Sequence, residues 1–129
     1  MRAKKRTNSS PTRRIPEHQA AKYFFDAVKA LEYLHAQEII HCDCKPANIL
    51  LDADGSVKLA DFGMAVDADE KEVVGGSPVY MAPEHLMAWR QMTDDFDHRS
   101  DIYSLEVVLY EMLEGALPYI VWESPKMRS

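Results

Sequence analysis

The sequence has only two cysteines and five glycines, and it contains no long apolar run. Cys42 and Cys44 are one residue apart, so they cannot easily form a disulfide with each other, and two thiols do not make a metal quartet. The longest helical apolar region, Ile102 to Leu113, is interrupted by polar residues and falls short of the roughly 20 apolar residues of a membrane span. The N-terminus lacks the apolar core of a secretory signal. These absences predict a reduced, intracellular protein, cytoplasmic or nuclear, without a membrane segment.

Positive charge is concentrated at the N-terminus. Residues 1–14 hold six of the 15 basic residues and no acid, so the rest of the chain carries nine basic against 21 acidic residues. A basic, polar stretch ahead of an acidic domain predicts a disordered tail over residues 1–15. Nucleic-acid binding by this tail is the lesser alternative, because short basic runs match that function too often.

With 129 residues, the chain can form one domain at most. Apolar residues at helical spacing, after Pro16-Glu17, predict a helix that ends near Ala36. A second helix, with apolar residues on most faces and therefore expected to be buried, is predicted over residues 101–114, where Gly115 ends it. A short helix is predicted from Ala82 to about Trp89, followed by a polar connection.

Two apolar triplets, Ile49–Leu51 and Val57–Leu59, flank the turn Asp52-Ala53-Asp54-Gly55 and predict a β-hairpin. The spacing of the two aspartates also resembles the start of an EF-hand calcium loop. However, the twelfth position from Asp52 is Gly63 and not glutamate, so a turn is the better interpretation. Residues 64–81 show no clear periodicity and are predicted to form a long loop.

The most informative stretch runs from His41 to Leu51 and reads HCDCKPANILL; the triplet Asp61-Phe62-Gly63 follows ten residues later. An acid, a lysine and an amide lie within six positions, and a second acid lies on a glycine turn. This set suits phosphoryl transfer, in which one carboxylate accepts a hydroxyl proton and the other groups hold a metal ion and phosphate. Each aspartate alone could equally be a turn-capping residue.

These motifs resemble the catalytic loop (41–51) and the magnesium loop (61–63) of eukaryotic protein kinases of the serine/threonine type. Two further motifs follow in the family's order. The stretch Gly76 to Glu84 resembles the end of the activation segment (61–84), and the helix 101–114 resembles the central helix of the large lobe. The resemblance implies a mainly α fold with a small β-hairpin, a partial kinase C-lobe over residues 16–129.

The resemblance also implies roles for individual residues. Asp43 would be the catalytic base, and Lys45 would contact the transferred phosphate. Asn48 and Asp61 would hold Mg²⁺ between the ATP phosphates, since oxygen ligands suit this cation. Leu50 would lie under the adenine ring. ATP and Mg²⁺ are expected only for a complete domain.

The remaining assignments concern the substrate side and the framework of the site. Ser77 would line the substrate site, although a plain turn serine explains it equally well. Asp101 would anchor the backbone of the catalytic loop and also suits a helix N-terminus. Structural roles are implied for His41, Phe62, Gly63, Glu84 and Asp101. Adjacent His41 and Cys42 could suggest a thiol nucleophile, but sequence neighbours rarely form such a pair.

Three features depart from the family pattern. The sequence has no Gly-x-Gly-x-x-Gly, so the ATP-covering small lobe (N-lobe) is expected to be encoded elsewhere or lost from this sequence. Cys42 replaces the arginine that binds a phosphate on the activation loop in many kinases, and residues 64–76 contain no Ser, Thr or Tyr to carry one. Glu106 lies in an apolar helix, where either it reaches solvent or the fold is damaged.

The prediction is a segment of a serine/threonine kinase that would transfer the ATP γ-phosphate to protein hydroxyls in a complete domain and would be inactive alone. A catalytically inactive kinase-like binding module, a decoy for kinase partners or substrates, is the alternative. A third possibility is that the isolated chain exposes apolar surface around Tyr103, Val107, Val108 and Tyr110 and is unstable.

Overall fold

The computed structural model describes residues 14–70 and 72–118, and within that part the fold is mainly α, as the sequence predicts. The helices are α1 (Glu17–Ala36), α2 (Pro83–Trp89) and α3 (Arg99–Glu114). The strands are β1 (Ile39–Ile40), β2 (Ile49–Leu51), β3 (Val57–Leu59) and β4 (Val66–Asp67), and single 3₁₀ turns lie at Pro46–Asn48 and Pro78–Tyr80. Predictions for residues 1–13 and 119–129 lie outside the described residues.

Helix α1 begins and ends where its pattern predicts. Its buried residues are Ala20, Ala27 and Leu31, which lie on one face. Ala27 and Leu31 belong to a core cluster with Cys44, Val57 and Leu105. This cluster joins α1 to the catalytic loop, the hairpin and α3, so the apolar stripe of α1 fixes the site's framework.

The chain immediately before α1 contacts the end of α3. The backbone N–H of Ile15 donates to the carbonyl of Met112 at 2.8 Å, and Arg14 Nε donates to the carbonyl of Glu114 at 3.2 Å. Residues 14 and 15 of the predicted tail therefore hydrogen-bond to the C-terminal turn of the central helix. The disordered tail stays a prediction for residues 1–13.

The predicted hairpin is present, with Ile49 opposite Leu59 and Leu51 opposite Val57. Its turn is held by local bonds, because Asp52 Oδ1 accepts from the Ala53 N–H at 2.7 Å and Asp54 Oδ1 from the Ser56 N–H at 3.0 Å. Gly55 has a φ of 86°, which glycine tolerates best. No cluster of three or more metal-ligating side chains occurs among the described residues, so the calcium-loop alternative gains nothing here.

The prediction of one long loop over residues 64–81 was wrong in two places. Strand β4 pairs antiparallel with β1, with Ile40 opposite Val66, and Pro78–Tyr80 forms a 3₁₀ turn. The connection after α2 also differs from expectation, because Phe96 within it is buried and packs beside Ile40. These short elements attach the activation segment to the catalytic loop.

Helix α3 begins at Arg99, two residues before the predicted start, and ends at Gly115 in the left-handed conformation with a φ of 74°. The prediction that this helix is buried holds for only part of its surface. Val107 and Val108 are buried, whereas Tyr103 and Tyr110 are exposed. None of the described helices combines the length and apolar character that a membrane span requires.

Glu106 lies on the exposed side of α3, so it reaches solvent and is not a buried unpaired charge. Near the other end of the helix, Glu111 is buried, and its Oε1 accepts a hydrogen bond from the Tyr80 hydroxyl at 2.6 Å. Ser104 binds the same turn, because its hydroxyl donates to the Tyr80 carbonyl at 2.6 Å. Ser104 and Glu111 therefore attach α3 to the activation segment.

We expect Glu106→Ala and Glu111→Ala to differ sharply in stability. The first removes an exposed side chain and should change the free energy of unfolding by less than about 0.5 kcal/mol. The second leaves the Tyr80 hydroxyl without this acceptor and should cost about 1–3 kcal/mol. Urea denaturation of both variants tests this, and equal losses would contradict it.

Candidate active site

The catalytic loop is anchored by the carboxylate of Asp101, which is 1% exposed in the first turn of α3. Oδ2 accepts from the His41 N–H at 2.8 Å, and Oδ1 accepts from the Cys42 N–H at 2.9 Å. His35 Nε2, from α1, lies 2.9 Å from Oδ2. The anchoring role implied by the resemblance therefore has a matching geometry. The contribution of His35 was missed at the sequence level.

This anchor holds an unfavourable backbone conformation. Cys42 has a φ of 71°, a left-handed value that non-glycine residues rarely adopt. Such conformations persist only where surrounding contacts determine them, and here the Cys42 N–H is bound by the buried carboxylate of Asp101. The strained residue immediately precedes Asp43, so the anchor sets the direction in which the Asp43 side chain leaves the loop.

The ring of His41 connects the catalytic loop to the magnesium loop. Its Nδ1 accepts from the Asp43 N–H at 3.1 Å, which requires the other nitrogen, Nε2, to carry the proton and donate to the Ala60 carbonyl at 2.9 Å. The ring also packs against Phe62, with 5.2 Å between centroids. Both nitrogens of this buried ring therefore perform structural roles on either side of the site.

Asp43 lies at the centre of a cluster of polar contacts and is 8% exposed. Its Oδ1 accepts from the Ser77 hydroxyl at 2.8 Å, and its Oδ2 accepts from Asn48 Nδ2 at 3.2 Å. Asn48 Nδ2 also donates to the Asp43 carbonyl at 2.8 Å. Each carboxylate oxygen retains acceptor capacity for another hydroxyl. The structure thus brings three of the predicted residues together around one carboxylate.

Asp61, in the magnesium loop, is exposed and has a φ of 57°. Its Oδ1 accepts from the Gly63 N–H at 3.2 Å, which forms the tight turn expected of the Asp-Phe-Gly triplet. The Asn48 backbone carbonyl, in turn, accepts from the Ala60 N–H at 2.9 Å. The backbone next to Asp61 is thereby tied to the 3₁₀ turn that carries Asn48.

The donor chemistry of Asn48 and Asp61 fits Mg²⁺. The amide nitrogen of Asn48 is committed to Asp43, which leaves the amide oxygen as the atom able to ligate a cation. An amide oxygen and one exposed carboxylate are hard ligands, and Mg²⁺ is commonly held by one or two such groups together with substrate phosphates.

Lys45 and Leu50 are placed around the loop without contacting Asp43. Lys45 is half-buried, and within the described part of the chain no ion pair involves it. Leu50 in β2 is 51% exposed, an apolar side chain presented to solvent next to the site. Its neighbour Leu51 lines an apolar cavity of about 210 Å³ on the other face of the hairpin. Their assigned roles stay predictions.

Gly76 packs directly on the catalytic loop, a contact that the sequence did not reveal. A Cβ there would lie 2.7 Å from the Cys42 carbonyl oxygen and 2.8 Å from the Met81 side chain, and its φ is 150°. Only glycine fits such an approach. The next residue is Ser77, so the close contact places the Ser77 hydroxyl on Asp43.

The first turns of α2 support the same region. His85 is buried, its Nε2 lies 3.0 Å from the Gly75 carbonyl, and its ring stacks on Phe96. Burial lowers the pKa of His85, so the neutral ring is the stable form. Glu84 is half-buried, and within the described residues no ion pair involves it. Its structural role stays a prediction.

The geometry argues against the thiol-nucleophile alternative. Cys42 is 4% exposed, and burial together with the charges of Asp101 and Asp43 raises the pKa of its thiol to about 12. Burial also raises the pKa of Cys44, and both cysteines are free. Both ring nitrogens of His41 are already engaged. Cys42 therefore behaves as a small apolar residue.

We expect Asp101→Ala to destabilise the chain by about 3 kcal/mol, since it removes a charged acceptor from two buried N–H groups. The loss should be measured by urea denaturation. Asp97→Ala is the matched control, because Asp97 is half-buried at the start of the same helix and its partner Arg99 is exposed. Equal losses in the two variants would contradict the anchoring role.

We expect both thiols to resist modification in the native protein. With the Cys42 pKa raised to about 12, the thiolate is scarce at pH 8, and disulfide reagents should react at least about 100-fold more slowly than in urea. Colorimetric titration of thiols with and without denaturant measures this ratio. Rapid modification of one thiol in the native state would contradict the packing described above.

Comparisons with known proteins show the family of the chain. The family model described as the protein kinase domain matches residues 3–127. Among similar proteins are serine/threonine-protein kinase ULK3 of Homo sapiens, 46% identical over 84% of this chain, and CBL-interacting protein kinase 4 of Oryza sativa subsp. japonica, 41% identical over 84%. A third is the probable serine/threonine-protein kinase MARK-C of Dictyostelium discoideum, 40% identical over 81%.

The aligned region covers 23%, 24% and 14% of those three relatives in the same order, so the chain spans less than a quarter of the length of each. The family match extends over nearly the whole chain, and two of the three relatives carry serine/threonine kinase names. The architecture, with a catalytic loop between α1 and a hairpin and an activation segment leading to α3, is that of a partial large lobe. The chain belongs to the protein kinase domain family, as a segment of the serine/threonine type.

Proposed function

We propose that this segment supplies the catalytic residues for transfer of the ATP γ-phosphate to serine or threonine hydroxyls of proteins, within a complete kinase domain. The observation that carries the proposal is the contact between Ser77 Oγ and Asp43 Oδ1 at 2.8 Å. It demonstrates that a hydroxyl on the activation-segment side reaches the carboxylate at hydrogen-bond distance. A general base must meet that geometric condition.

Asp43 is the proposed base. Its position depends on the Asp101 anchor and on Asn48, so the carboxylate is oriented before substrate arrives. Such preorganisation matters because phosphoryl transfer depends mostly on positioning and electrostatic stabilisation. Lys45, which makes no ion pair within the described residues, is proposed to neutralise charge on the transferred phosphate.

Protein kinases generally use ATP and Mg²⁺. For this chain we propose that the Asn48 amide oxygen and the Asp61 carboxylate hold the metal, which would shield the phosphate charges when bound. The exposed Leu50 side chain offers an apolar surface for the adenine ring. Protein substrates are the proposed partners, and Ser77 lies where their hydroxyl would approach.

The isolated 129-residue chain is proposed to be inactive, because its sequence has no glycine-rich loop to position ATP. The decoy alternative differs from the catalytic proposal in its prediction for Asp43. A decoy would not need Asp43 for catalysis, even within a complete kinase domain. A test must therefore place this segment in a domain that binds ATP.

We expect a chimera that carries residues 16–118 in the large lobe of an active serine/threonine kinase to phosphorylate a protein substrate. Asp43→Asn should lower its kcat by about 100-fold or more, the range for loss of a general base. Radiolabelled phosphate transfer measures the rate, and ATP binding by calorimetry checks that the nucleotide site survives.

Asp52→Asn is the matched control, because Asp52 lies on the exposed hairpin turn and contacts only its own turn and Lys58. It should leave kcat unchanged. A folded, ATP-binding chimera without transfer, or one whose transfer survives Asp43→Asn, would reject the catalytic proposal and favour the decoy.

A further inference from the structure

Cys42 is part of an apolar cluster that joins five segments of the chain. Its buried members are Ile40, Cys42, Val66 and Phe96, and the half-buried side chains packed against them are Met64, Ala68, Val73 and Ala88. The first two come from β1 and the catalytic loop, and four others come from the activation segment. The remaining two belong to α2 and the connection after it. One cluster therefore contacts the activation segment at both ends of its acidic part.

The acidic part of the segment explains why this cluster matters. Residues 64–76 carry Asp67, Asp69, Glu70 and Glu72 but no residue that could be phosphorylated on a hydroxyl. All four acidic side chains are exposed, and none belongs to the apolar cluster. The attachment of this stretch must therefore come from its apolar residues and its backbone.

Backbone hydrogen bonds contribute little to the attachment of the activation segment. Strands β1 and β4 are two residues each, and one further bond joins the Ala68 N–H to the Glu38 carbonyl at 2.7 Å. A two-stranded pairing of this length is not stable in water without apolar packing. The side chains of Val66 and Val73 supply that packing against Cys42 and Phe96.

Cys42 suits this position because it is small and uncharged. Its thiol is buried among apolar side chains, where burial of a charged side chain would carry a desolvation cost. Its carbonyl also receives the close approach of Gly76, the residue before Ser77. One residue thus contacts the segment through both its side chain and its backbone.

We propose that the cluster around Cys42 is an apolar clamp that holds residues 64–68 and 73–76 on the catalytic loop and so positions Ser77 at Asp43 without a phosphate. The regulatory role of this clamp rests on the proposed function, because the clamp would position residues of the proposed active site. Its existence is a property of the folded chain and can be tested without ATP or activity.

The test is amide hydrogen exchange of the 129-residue chain with Val73→Ser. Val73 packs on the cluster, whereas its neighbour Val74 is 60% exposed, so Val74→Ser is the matched control. In Val73→Ser, we expect the amides of Val66 and Ala68 to exchange about fivefold faster or more, since apolar packing that closes the segment is lost. The control should exchange like the wild type.

The core of α1 serves as an internal reference, because Ala27 and Leu31 belong to a different cluster. Their amides should exchange at unchanged rates in Val73→Ser. Cys42→Ser is the second variant. It retains the side-chain size, places a hydroxyl among apolar groups, and should accelerate the same two segment amides.

Three outcomes would overturn the clamp: unchanged exchange in Val73→Ser and Cys42→Ser, equal acceleration in Val74→Ser, or wild-type segment amides that already exchange like an unstructured chain. Acceleration of α1 by the same factor would also overturn it, because the effect would then be global. Failure of phosphoryl transfer in the chimera would leave these rates unchanged, so the two proposals fail separately.

Discussion

The buried carboxylate of Asp101 is the contact on which the site depends. It replaces water for two backbone N–H groups that point into the protein, those of His41 and Cys42, and it holds Cys42 in a left-handed conformation. A charged acceptor is suited to this task, because hydrogen bonds to an ionised group are shorter and stronger than neutral ones. A third bond, from His35 on α1, means that two helices share one carboxylate.

Successive hydrogen bonds connect Asp101 to the other residues of the site. The His41 backbone binds Asp101, and the His41 ring binds the Ala60 carbonyl. His41 therefore stabilises both the catalytic loop and the backbone that leads into the magnesium loop. The same ring receives the Asp43 N–H, and Asp43 receives Ser77. The chain of contacts leads from the first turn of α3 to Ser77 in the activation segment. This explains how a short, irregular loop can present one carboxylate in a fixed direction.

The sequence predicted those features whose cause is local or carried by a motif. Helix α1 and the hairpin follow from periodicity and from an Asp-rich turn, and the anchoring position of Asp101 followed from the resemblance. Strand β4 was not predicted, because its two residues are too few to show a periodic pattern. It also pairs with a distant segment, since Val66 lies opposite Ile40, 26 residues earlier in the chain. The orientation of Glu106 was undecidable, since a helix with apolar residues on most faces does not reveal its exposed side. The packing of Phe96 and the approach of Gly76 depend on tertiary contacts alone.

The distribution of charge around the loop supports the proposed chemistry. Of the three motif aspartates, Asp101 is satisfied by two backbone N–H groups and His35, and Asp43 accepts from two side chains. Asp61 is exposed and accepts one long bond from Gly63, so its charge is the least compensated by the protein. Lys45 is the basic residue of the motif, and one cation cannot balance Asp61 together with a nucleotide's phosphates. Under the proposed phosphoryl transfer, a divalent metal held by Asp61 and Asn48 would supply the positive charge that balances these groups.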